Sequence, residues 1–470
     1  MASRAEIAAW ALAPVLFATM VAVSGTASLM GDFRAFYCGG RAIAMGANPY
    51  LEEPLHACEW AARPPAPLAV AASVTLPAPL PPAALLPFVP FSLLPFPLAA
   101  IVYGLSLLGA MTVAVMLYAR VTGVPVALLN LAFAAITGTQ TYFLGQPMPF
   151  VLLALAASAV LVRRSAWIGA SACALAAGAE PHLAMPVLVA LVVALPRTRW
   201  PIIGCGVLAG LVGAIVVGVP TSIAYVRDVL PAHALANAYE WQFSLTSILT
   251  SLGVNAPTAV LWGGVMYAAM TIVGVTVAVR LWRARGDRAA LVIVPPAFAV
   301  FGGVHVHATQ LVVAIPTLLA VYAGYPHLRR LAATGVTFMM IPWNIMSGSV
   351  LTGFTPVLVG WFARTTMGAR RGLVLAAIAA VIAVSVLALA LAGAGPGATH
   401  FVARTYPPNA LAEESWGAFS RAVLERSSLL MQWLRLPVLV GLALGLLAVT
   451  RAAFGHPQPV VIRESDYVVA

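Results

Sequence analysis

Residues 7–37 read IAAWALAPVLFATMVAVSGTASLMGDFRAFY. The run from Ile7 to Met30 carries no charge and is long enough to cross a bilayer core, which takes about 20 apolar residues. Asp32 follows at once, the first acidic residue after Glu6. A carboxylate where a membrane helix should meet water is costly unless it caps a helix or does chemistry. On this residue alone both readings stay open. The start, Met1-Ala2-Ser3-Arg4, resembles a signal peptide. The apolar run is too long for an h-region and lacks a clear cleavage site, so it reads as a retained first helix with a cytoplasmic start.

Working outward, the rest of the chain has the same character. It is 62% hydrophobic and only 8% charged over 470 residues, against about 25% charged in average usage. The apolar runs are too long and continuous for the alternation of a porin barrel. The fold class is therefore all-α, a polytopic helical membrane protein. The net charge is +11, and all 25 basic residues are arginine. In a soluble chain this balance would suggest nucleic acid. Here it suggests arginines that hold cytoplasmic loops inside, and no nucleic-acid partner is expected.

Candidate spans fall at 7–29, 97–119, 123–140, 148–162, 165–179, 181–196, 200–219, 257–279, 289–304, 308–324, 331–347, 349–363, 372–395 and 433–450. Several are short, so 11–14 transmembrane helices are expected. With the N-terminus inside, alternation places Arg4, Arg120, Arg163, Arg164, Arg197 and Arg199 inside. The same holds for the arginines at 280–288, 329–330, 364–371, 451 and 463. Of the acidic residues only Glu6, Asp287, Glu464 and Asp466 share that side. One integral membrane domain is expected over 1–450, with a short cytoplasmic tail over 451–470.

Residues 30–96, 220–256 and 397–432 are then outside. The first is rich in proline, with apolar Leu85, Leu86, Phe88, Phe91 and Leu93 between the breaks. Proline at that density ends long helices, so this first outer loop reads as short interfacial helices. Cys38 and Cys58 both lie in it and either form a disulfide or remain two free thiols, the simpler reading. Cys173 and Cys205 lie in apolar runs as packing residues.

The polar residues at helix boundaries converge on the outer side: Asp32, Gln146, Glu180, His182, His233, Tyr239, Glu240, Trp241, His305 and His307. Each has a simpler reading. Gln146 can satisfy a turn, Glu180-Pro181 can mark a helix start, and Tyr239 and Trp241 can be belt aromatics. Two histidines at 305 and 307 are a weak metal signal without a carboxylate or cysteine to complete them. Phosphate or sugar contacts are the favoured role, and no metal site is expected. No phosphate-binding glycine loop or zincin motif is visible, so an ATP-driven pump is not the expected reading. An activated substrate outside the membrane must then arrive on a lipid carrier.

At this point the residues resemble a known family. Asp32-Phe33-x-x-Phe36-Tyr37 with Gly46-x-Asn48-Pro49-Tyr50 is similar to the first-loop signature of glycosyltransferase family 87, GT-C-type membrane transferases that include polyprenol-phosphate-mannose-dependent mannosyltransferases. Pro81-Pro82 with Leu85-Leu86-Pro87, Gly145-Gln146-Pro147 before Arg163-Arg164, Ser244-Leu245 and His305-x-His307 continue the likeness over about residues 7–330. One departure stands out. Where the family commonly has Lys-Pro, this chain has Glu180-Pro181-His182. Either Arg34, His182, His305 or His307 supplies the missing charge, or the donor site differs.

The resemblance implies an inverting transfer of a hexose, mannose or a related sugar, from a polyprenyl-phosphate donor to a lipid or glycan acceptor. Asp32 would act as general base. Arg34, Gln146, His182, His305 and His307 would bind donor phosphate or sugar. Tyr37, Glu180, Tyr239 and Trp241 would contact acceptor or sugar. No cofactor is implied, and a divalent cation is left open. The expected setting is the bacterial inner membrane, among its lipids, with the site facing the exterior. A transporter or flippase of lipid-linked glycans is the alternative.

Overall fold

The computed structural model describes residues 30–62, 74–136, 141–142, 144–340, 355–391, 406–426 and 435–455. The expected first span, the adjoining ends of the expected spans 331–347 and 349–363 (residues 341–354), and most of the tail lie outside them. The described residues are helical, with one isolated bridge between Leu51 and Leu411.

The first outer loop folds into α1 (Gly31–Ala44) and α2 (Glu52–Ala61), then short turns over Pro82–Ser92. These elements bury their apolar faces against protein. Phe33 stacks on Tyr103 with ring centroids 4.2 Å apart and meets Phe88, Phe91 and Phe96 around it. Each aromatic pair of this kind adds about 0.5–1.5 kcal/mol beyond its burial. Gly40 lets α1 lie on the Phe88–Val89 backbone, where a Cβ would fall 2.6 Å from the Phe88 carbonyl carbon. A disulfide joins Cys38 on α1 to Cys58 on α2, so the free-thiol reading does not hold.

Eleven of the remaining helices form the main body. They are α3 (Phe96–Thr122), α4 (Val126–Ile136), α5 (Met148–Arg163), α6 (Trp167–Ala176), α7 (Pro181–Ala194), α8 (Arg199–Val217), α11 (Ala256–Arg285), α12 (Ala290–Ala299), α13 (Ile315–Gly324), α14 (Arg329–Met339) and α18 (Leu436–Phe454). Between them come α9 (Leu230–Asn237), α10 (Leu245–Ser251), α15 (Thr355–Met367), α16 (Ala369–Leu391) and α17 (Ala412–Arg426).

Among the described residues, four helical stretches are long and apolar enough to cross a membrane: Phe96–Thr122, Pro196–Val217, Ala256–Arg285 and Leu436–Phe454. Several expected spans are shorter than a bilayer core. At 1.5 Å per residue, the 10-residue α12 is only about 15 Å long. From Leu291 to Ala299 it is buried on every side, with Pro295 and Pro296 inside. Its ends are enclosed by protein, the setting in which broken helices are tolerated at membrane depth. The expected span 308–324 likewise begins as a 3₁₀ turn over Ala308–Ala314 before α13.

Contacts sort the helix ends into two groups. At one end, Arg163 from the close of α5 pairs with Asp287 and donates to the Arg120 carbonyl in the last turn of α3. Arg288 donates to Ser165, Arg285 to the Gly324 carbonyl, and Arg280 stacks on Phe454. The opposite ends of α5, α6, α7 and α12 carry Gln146, Glu180, His182 and His305. The arginine pattern in the sequence thus corresponds to one physical end of the bundle.

Candidate active site

The site begins with a turn. Gly145 has φ +74°, a region that favours glycine, and a Cβ there would sit 2.6 Å from Phe33 Cβ. The turn can therefore press against the first turn of α1. Gln146 and Asp32 are brought together this way, and the Gln146 amide donates to the Asp32 carboxylate. The N-cap of α1 is Met30, not Asp32. The carboxyl of Asp32 is raised to about 7, chiefly because burial disfavours its charge. The Gln146 hydrogen bond and Arg34 pull it down, while Glu240 pushes it up. Arg34 Nε is buried with no hydrogen-bond partner.

A second carboxylate, Glu240, follows α9. It accepts from Gln242 Nε2 at 3.2 Å and from the Trp416 indole, and it lies 3.7 Å from His307 Nδ1. Burial raises it to about 7. Gln242 Oε1 accepts from the Val306 amide at 3.0 Å, and Phe243 N donates to the Val306 carbonyl at 2.9 Å. These bonds hold the 302–307 turn beside the second outer loop. Gly302, at φ +88°, allows that turn to form against Met266.

The third carboxylate is Glu180, buried at the N-terminus of α7. Its Oε2 accepts from Gln310 Nε2 at 3.0 Å and lies 3.7 Å from His182 Nδ1. The Gln310 carbonyl oxygen accepts from the His307 amide at 2.9 Å. The His182 and His305 rings are 4.4 Å apart, and His233 is 5.7 Å from His305. Burial raises Glu180 to about 7 and lowers His305 to about 3 and His307 to about 4. These two histidines are neutral hydrogen-bonding groups at pH 7, not the fixed cations that a lipid phosphate would attract.

One expectation changes. No carboxylate was expected beside the histidines, yet Glu180, His182 and His305 place one ligand atom each within 4.8 Å of one another. The Tyr37 hydroxyl donates to the Leu94 carbonyl at 2.9 Å and its ring is buried. Trp241 is packed edge-on against Phe243, with the Arg435 guanidinium 5.3 Å from its ring centre. Tyr239 is different: it lies under Arg421 and lines an open cavity of about 920 Å³ with Leu235, Tyr406, Glu413, Glu414 and Arg421.

Gln310, Trp416, Tyr267 and Arg421 join the site without having been singled out in the sequence. The Tyr267 hydroxyl donates to the His182 carbonyl at 2.8 Å. Gln310 reaches Glu180 across 130 residues and Trp416 reaches Glu240 across 176. No local spacing announces such pairs.

Comparison with known proteins gives one match. Residues 80–304 match the family model of glycosyltransferase family 87. The matched stretch is therefore similar to a family of glycosyltransferases. The match includes Gln146, Glu180, His182, Tyr239 and Trp241, and it ends one residue before His305. Asp32 and the rest of the first-loop signature precede it. No curated protein and no solved structure matches the chain.

Proposed function

We propose that this chain is a family 87 transferase that moves a hexose, mannose or a related sugar, from a polyprenyl-phosphate donor to a lipid or glycan acceptor on the outer side of the membrane. The observation that carries this reading is the Asp32–Gln146 pair: a carboxylate poised near neutrality, held by a side chain from the family-matched stretch. A general base works best when its pKa lies near the operating pH.

The reaction is a displacement at the anomeric carbon. The acceptor oxygen forms a bond to that carbon as the bond to the phosphate oxygen breaks. The acceptor proton passes to Asp32, and polyprenyl phosphate leaves. The transition state has oxocarbenium character, which a nearby carboxylate stabilises. With Asp32 as base and no nucleophile assigned, the anomeric centre inverts. Gln146 positions Asp32. His305, His307 and Arg34 serve the donor phosphate as hydrogen-bond donors and as the nearest cation. The cavity beside Tyr239 and Arg421, with its mixed charge and aromatic wall, suits a polar acceptor. The polar groups gather at one end of the helices, which favours transfer over carriage through the membrane midplane.

The test is reconstitution of the full chain in vesicles with a polyprenyl-phosphate hexose or the matching nucleotide sugar. Product formation and release of polyprenyl phosphate from the lipid donor alone support the reading. Equal use of the nucleotide sugar, or movement of intact donor with no covalent change, contradicts it.

A further inference from the structure

We infer that Glu180, His182 and His305 form a binding site for one divalent transition-metal ion of the zinc class. Each offers one ligand atom, and the three lie within 4.8 Å of one another. A tetrahedral zinc site with bonds of about 2.0–2.1 Å has its ligands about 3.4 Å apart. The 3.7 Å between Glu180 Oε2 and His182 Nδ1 is already close to that spacing. Small rotations of the side chains close the rest.

A second observation points to a ligand independently of this clustering. The His182 side chain is 10% exposed, and both its ring nitrogens are buried with no hydrogen bond of normal geometry, though Gln310 is near enough to act on the ring. Nδ1 of His305, whose ring lies 4.4 Å from that of His182, is unpartnered as well. A buried polar atom left unpaired costs about 1–3 kcal/mol, so three in one place is an unusual way to finish a packed interior. A neutral imidazole nitrogen facing a carboxylate is metal-binding chemistry.

The surroundings fit that role. Gln310 donates to Glu180 Oε2 and is itself fixed by the His307 amide, which orients the carboxylate. Tyr267 anchors the backbone of His182. Such outer partners position ligands and raise affinity. Two nitrogens and one carboxylate oxygen match the open His₂Glu set of zinc and disfavour calcium or magnesium, which take oxygen donors. The fourth position is left for an oxygen of the donor phosphate. That last step rests on the proposed transfer reaction; the metal site itself does not. It also gives Glu180 a purpose where a lysine was expected, since the positive charge would come from the ion.

The experiment uses the full chain, purified in detergent without a histidine tag, stripped with chelator and titrated with Zn²⁺ alone. We expect one zinc per chain, and X-ray absorption showing two imidazoles with first-sphere distances of about 2.0–2.1 Å. Glu180→Gln, which keeps a partner for Gln310, and His305→Ala should each weaken binding at least tenfold. His327→Ala, at the arginine end, should not. No zinc above background, or equal zinc in wild type and both site variants, overturns the inference. Zinc bound at this site without sugar transfer upholds the metal site and sinks the transfer reading; full transfer by chain that binds no zinc does the reverse.

Discussion

The Gln146 side chain donates to the Asp32 carboxylate, joining two residues 114 positions apart. The bond links the first outer helix to the Gly-Gln turn before α5. If Asp32 is the base, Gln146 is its positioning residue. A hydrogen bond to a charged group is worth about 1.5–3 kcal/mol. Gln146→Ala should therefore lower kcat/KM by about tenfold or more, with protein yield unchanged. Because this bond pulls the Asp32 pKa down, its loss should also move the acid limb of the rate profile to higher pH. A purely structural Gln146 would leave the limb where it was.

The pH dependence has a definite sign. The carboxyl of Asp32 is raised to about 7 and must be ionised to accept a proton. Its surroundings include Gln146, Arg34, Glu240 and the Tyr103 hydroxyl. Steady-state kcat/KM should rise with pH and level off above an apparent pKa near 7, falling to about a tenth of the plateau one unit below it. Arg34→Ala removes a group that lowers the pKa and should shift the limb up. Glu240→Gln removes one that raises it and should shift the limb down. Shifts in the opposite senses would exclude Asp32 as the titrating group.

Gly145→Ala tests how the turn meets α1. Alanine at φ +74° costs about 1–2 kcal/mol, and its methyl group would fall 2.6 Å from Phe33 Cβ. The variant should melt at a lower temperature in detergent and lose activity at least as severely as Gln146→Ala. Wild-type melting and wild-type rate would mean that the close approach of the turn to α1 is not as described.

The Cys38–Cys58 bridge closes a loop with a sequence separation of 20 residues. Loop-closure entropy for that length is worth about 3 kcal/mol. Cys38→Ser, Cys58→Ser and the double variant should all lower the melting temperature by a similar amount, because each removes the same cross-link. Thiol labelling of the unfolded wild type before reduction should find Cys173 and Cys205 only.

Much of this was legible in the sequence. Apolar runs gave the helices, and Arg120, Arg163, Arg285 and Arg288 marked one end of the bundle because charge stays out of the hydrocarbon. The prolines between Pro81 and Pro95 announced short helices in the first loop. Other features were not legible. Hydropathy does not report length in space, so α12 read as a span although it is a short helix enclosed by protein. The hydrogen bond from Tyr37 to the Leu94 carbonyl has no sequence signal. Glu180 read as a lost lysine because the two imidazoles beside it come from different stretches, one just after it and one at residue 305.

The central claim is that Asp32 takes the acceptor proton. Its most direct test is Asp32→Asn, reconstituted at matched density and orientation and assayed with a polyprenyl-phosphate hexose under single-turnover conditions. General-base catalysis contributes about 10²–10⁴ in rate. Asp32→Asn should lose activity by that factor with donor binding preserved. Transfer by Asp32→Asn at the wild-type rate would contradict the claim.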